Sequence, residues 1–66
     1  MIQFQVNDMT CGHCVATITK AVKALDAGAQ VETDLATHRV RVETTQTGET
    51  VKGAILAAGY TPEIVA

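Results

Sequence analysis

Cys11 and Cys14 are the only two cysteines of the chain, and they lie within the run Met9-Thr10-Cys11-Gly12-His13-Cys14. The thiolate is the form that binds metals and attacks electrophiles, and it is favoured where unpaired backbone N–H groups and the positive end of a helix dipole face the sulfur. A disulfide between the two would close a loop of only a few residues, which makes it a poor structural staple. The pair therefore reads as a site. Positions three apart on a helix hold their Cβ atoms about 5 to 6 Å from each other. Two thiolates facing each other across one metal, at the zinc–sulfur distance of roughly 2.3 Å, stand up to about 4.6 Å apart, so the spacing fits a nearly linear two-sulfur site. Structural zinc wants four ligands, whereas two thiolates without a neighbouring carboxylate or imidazole cluster suit a soft ion such as Cu(I). On an exposed loop such an ion stays open to an incoming thiolate, so transfer is its natural use.

The elements that must position this pair follow from periodicity. Ile2, Phe4 and Val6 alternate with Gln3, Gln5 and Asn7, the period-two pattern of a half-buried strand. After a break at 8–12, Val15, Ile18, Val22 and Leu25 recur at helical spacing, which predicts a helix from about Cys11 or Gly12 to about Ala27, with Gly28 as its C-terminal glycine. Ala29, Val31, Thr33 and Leu35 predict a second strand, and Val40 and Val42, flanked by Arg39, Arg41 and Glu43, a third, joined as a hairpin. Val51, Ala54, Ile55 and Ala58 share a face of a second helix, which begins near Glu49 and ends at Gly59. Residues 61–66 read as a last strand opened by Pro62, where no ladder donor is lost. The order βαββαβ is the split βαβ, ferredoxin-like plan, an α+β fold with a four-stranded antiparallel sheet and two helices on one face.

Composition narrows the function. Sixty-six residues fit one domain, 1–66, and 47% hydrophobic residues with a single proline argue against disorder. A net charge of -2 is the opposite of the basic field that nucleic-acid binding needs. The apolar stretches fall far short of the roughly 18 residues of a membrane span, and the start Met1-Ile2-Gln3-Phe4-Gln5 lacks the features of a signal peptide. A cytoplasmic protein with no membrane insertion is the expectation.

The motif and the element order together resemble the heavy-metal-associated domain family of small copper chaperones and copper-ATPase metal-binding domains, over essentially the whole chain. The resemblance implies Cu(I) held by Cys11 and Cys14 and Met9 as a buried anchor under the loop; Thr10 and His13, beside the two cysteines, read as loop support that tunes the site without binding the metal. It also implies that Tyr60 is similar to the tyrosine that bacterial members place beside the metal. The implied partner is a metal-binding domain of a copper-transporting P-type ATPase, and the implied protein is a carrier rather than an enzyme. The family usually has glycine before the methionine, where this chain has Asp8.

Rival readings are open at this level. Cys11-Gly12-His13-Cys14 is also the active-site tetrapeptide of protein disulfide isomerases, whose domains resemble thioredoxin, are longer and usually carry Trp before the first cysteine; this chain has no Trp. Relatives of the family bind mercury, zinc or cadmium. Met9 reads as core in preference to a third ligand, since a thioether fills irregular gaps. His13 reads as solvent-facing, His38 as a surface histidine starting strand three, and Tyr60 in its plainest reading as a packing residue. Lys20, Lys23 and Lys52 read as a solvated face. The expected oligomeric state is a monomer without metal and a copper-bridged homodimer when Cu(I) is in excess.

Overall fold

The structure is a computed structural model that describes residues 2–65. Its elements are β1 (Ile2–Val6), α1 (Gly12–Leu25), β2 (Gln30–Asp34), β3 (Arg39–Glu43), α2 (Gly48–Ala57) and β4 (Pro62–Ile64). The strands form one sheet in the order β2-β3-β1-β4, and every neighbouring pair is antiparallel. The ferredoxin-like plan expected from the sequence is therefore the fold.

Alternation builds the core. Phe4 and Val6 of β1 stand in one layer with Val40 and Val42 of β3, all four fully buried, while Gln3, Gln5, Arg39 and Arg41 share the opposite face. Ile18 and Val22 of α1 and Val51 and Ile55 of α2 complete the same cluster, so both helices lie on one side of the sheet. The bare face is stitched by polar contacts: Arg39 Nε donates to Gln5 Oε1 (2.6 Å), and Arg41 pairs with Glu32 (3.4 Å). Thr47 caps α2 by accepting the Thr50 N–H (3.2 Å), and Glu49 sits in the first turn where the dipole favours a negative charge.

Boundaries differ from expectation at several places. Helix α1 stops at Leu25, because the Asp26 carboxylate accepts hydrogen bonds from the Gly28 N–H (3.1 Å) and the Thr44 hydroxyl, and Asp26 itself is extended. Gly28 thus serves a side-chain-bonded turn in place of a left-handed helix end. Gly59 does take a left-handed conformation (φ 100), just past α2. Strand β2 is shorter than the expected 29–35, and Leu35 lies in the hairpin turn, 39% exposed. The last strand is Pro62–Ile64, shorter than the expected 61–66: Thr61 and Val65 flank it outside the strand, and Ala66 falls outside the described residues.

Candidate metal centre

Antiparallel pairing brings three separate stretches to one end of the molecule: the loop 7–11 that leaves β1 and opens α1, the turn 35–38 that enters β3, and the connection 58–61 that enters β4. The loop begins with a tight turn in which the Met9 N–H donates to the Val6 carbonyl (3.1 Å). Met9 is fully buried, so its side chain pins the loop to the core. The thioether is taken up by packing, as expected for a core residue.

Cys11 is the N-cap of α1. Its backbone is extended, its side chain caps no helix amide, and the first turn holds no acidic residue. The positive end of the helix therefore faces the sulfur pair without a competing carboxylate. Cys11 is exposed and Cys14, packed against the core, is half-buried; their Sγ atoms are 3.5 Å apart. A linear two-sulfur site needs about 1 Å more, and the uncapped, exposed Cys11 side chain is the one free to supply it.

The Cys14 thiol is lowered from the ordinary 9.0 to about 6, first by the Tyr60 hydroxyl beside it, then by the Thr10 backbone N–H and the Cys11 side chain. Tyr60 is raised above its ordinary 10.0, since losing its proton would remove the donor that faces Cys14. Thr10 thus serves the site through its main chain. His13 is exposed on the first turn of α1, where its carbonyl accepts the Thr17 hydroxyl (3.0 Å). Tyr60 packs against the core, and its N–H donates to the Ile55 carbonyl (3.3 Å). Among the described residues, no group of three or more His, Cys, Asp or Glu converges as a metal cage.

Two residues behave differently from their sequence reading. His38 is half-buried, lies before β3 in left-handed backbone (φ 56), and its Nδ1 is 2.8 Å from the Met9 carbonyl. A carbonyl can only accept, so Nδ1 carries the proton. The His38 carbonyl in turn accepts the Val6 N–H (2.8 Å). A surface histidine by sequence is thus a brace under the metal loop, because β3 runs antiparallel to β1 and its start meets the other strand's end. Asp8, in the place of the family's usual glycine, accepts the Thr61 N–H with both carboxylate oxygens (3.2 and 3.1 Å). The signal for both lay in the expected topology, which puts residues 8, 38 and 61 at one end.

The heavy-metal-associated domain family matches residues 3–61. Copper-transporting ATPase 1 of Rhizobium meliloti is 38% identical over 64 residues, covering 94% of this chain and 8% of that protein. The chain thus spans less than a tenth of the length of that relative. The crystal structure of gold binding protein is 43% identical, covers 98% of this chain and 100% of its own, and superposes with a TM-score of 0.95. Copper chaperone Atx1 from Synechocystis, in a trimeric form, is 36% identical over 96% of this chain and 100% of its own, with a TM-score of 0.94. With the fold, the motif and a match running from β1 to the residue before β4 in agreement, the chain belongs to the heavy-metal-associated domain family.

Proposed function

We propose that the chain carries Cu(I) on Cys11 and Cys14 and passes it to a metal-binding domain of a copper-transporting P-type ATPase in the cytoplasm. Residues 1–66 act in this reading as one heavy-metal-associated domain. The observation that carries it is the graded sulfur pair: two thiols 3.5 Å apart, one exposed and one half-buried, at an uncapped helix start. Two soft ligands hold a soft monovalent ion and leave zinc two ligands short. An incoming thiolate adds to the copper from the open side, the bond to exposed Cys11 breaks, and the released sulfur regains a proton. Repetition at Cys14 completes the transfer with no change in copper oxidation state. The ferredoxin-like frame and the absence of Trp weigh against the alternative of a thiol–disulfide oxidoreductase.

Likeness to gold binding protein favours a second reading, in which Au(I) is the cargo of the same two sulfurs. Competition of Cu(I), Au(I), Hg(II) and Zn(II) for the reduced protein, followed by mass spectrometry of the loaded chain, separates the two. Cu(I) should bind with one equivalent, and Cys11→Ser or Cys14→Ser should lose most of that affinity against a copper chelator. Undiminished binding by Cys14→Ser would overturn the assignment.

A further inference from the structure

The connection that carries Tyr60 is tied to the metal loop by one side chain. Strand β4 pairs with β1 from Ile64 opposite Phe4 to Pro62 opposite Val6. The Val65 N–H donates to the Gln3 carbonyl (2.9 Å), and strand groups alternate sides with period two, so Glu63 and Thr61 turn their N–H groups toward β1 as well. At Thr61 the strand opposite has ended: the chain turns at Asn7 and Asp8, and no backbone carbonyl of a continuing β1 meets the Thr61 donor. The Asp8 carboxylate takes that place. Asp8 is one residue before Met9, which is locked in the core, and Thr61 is one residue after Tyr60, which flanks Cys14. Opposite ends of one hydrogen bond therefore belong to the metal loop and to the loop bearing its aromatic neighbour.

We infer that Asp8 is a positioning residue that latches the Tyr60 connection against the metal loop, so that it sets how readily an incoming ligand reaches the metal. This rests on the carrier reading for its consequence and on geometry alone for the latch. Because the carboxylate works as a hydrogen-bond acceptor, an amide oxygen at the same position suffices, and Asp8→Asn should behave like the parent chain. Asp8→Ala removes the acceptor, frees the Thr61 donor and lets the Tyr60 connection swing.

The test uses the full chain with Asp8→Ala, Asp8→Asn, Tyr60→Ala and the double variant Asp8→Ala with Tyr60→Ala. In metal-free protein, NMR follows deuterium exchange of the Thr61 amide. Acrylamide quenching follows Tyr60, the only tyrosine in a chain without tryptophan. Asp8→Ala should speed Thr61 exchange roughly threefold to tenfold, the range of one net hydrogen bond, and should raise quenching; Asp8→Asn should stay near the parent. With one equivalent of Cu(I), transfer to bathocuproine disulfonate should be faster by a similar factor in Asp8→Ala, and the double variant should be no faster than Tyr60→Ala alone. Thr61 exchange and quenching unchanged in Asp8→Ala would overturn the latch, and so would rate effects of the two substitutions that multiply. A parent chain that takes up no Cu(I) would overturn the carrier reading instead, with the metal-free measurements still deciding the latch.

Discussion

His38 holds a conformation that an L-residue takes at a cost of roughly 1 to 2 kcal/mol, with histidine among the types that tolerate it better. What holds it there is a pair of bonds, one from its ring to the Met9 carbonyl in the loop after β1 and one from the Val6 N–H at the end of β1 to its own carbonyl. Replacement by alanine keeps the backbone penalty and loses the ring. Replacement by glycine loses the ring and removes the penalty. His38→Gly should therefore be more stable than His38→Ala by about 1 kcal/mol in urea unfolding, although both lack the brace under the metal loop. Equal midpoints for the two variants would show that the backbone at this position is not strained. At this scale the thiols and the buried Met9 were readable because they belong to one contiguous motif, whereas Tyr60 beside Cys14 was legible only through the family resemblance. The parts played by His38 and Asp8 were not readable from local pattern, because their partners lie 29 and 53 residues away and only the strand topology brings them to one end.

Among the elements, α1 shows how a side chain can end a helix before its periodicity does. The pattern ran on to Ala27, but Asp26 binds Thr44, the residue that follows β3, and so joins the far end of α1 to the far end of the sheet. Those bonds, Thr44 first and the Gly28 N–H second, hold the Asp26 carboxyl below its ordinary 3.8. A carboxylate with a lowered value stabilises the folded state above pH 3.8, and the contribution disappears as pH falls through the depressed value. Asp26→Asn should accordingly be less stable than the parent at neutral pH, with the difference shrinking below pH 3.8, as measured by urea midpoints across the acid range. A constant difference over that range would mean that charge plays no part. Strands β1 and β3 and helix α2 were legible because the apolar residues that set their periodicity are also their buried residues: Phe4, Val6, Val40, Val42, Val51 and Ile55 all lie in the core. Ends were less legible, since capping by Asp26 depends on a residue 18 positions on.

For the whole molecule, the relevant fact is that three loops meet at one end, where the Cys11 thiol is exposed beside the half-buried Cys14. Excess Cu(I) with few small thiols present should draw two such ends together in a symmetric contact, because two ligands leave the ion open to further sulfur. Sedimentation should report a monomer without metal and a larger species as copper exceeds one equivalent. Identical profiles at every loading would argue against a shared metal.

Strand β4 sets the limit on other ways of associating. It is three residues long and starts with Pro62, whose missing N–H falls on the side away from β1. At the opposite border, β2 places exposed Gln30, Glu32 and Asp34 along its length. Both borders of the sheet are thus poor templates for another chain: one is too short and lacks a donor, the other carries like charges that would oppose each other in an antiparallel match. Continuous cross-chain sheets, the usual hazard of a small half-bare sheet at high concentration, are disfavoured by construction, so crowding of many metal-free copies should leave the chain monomeric.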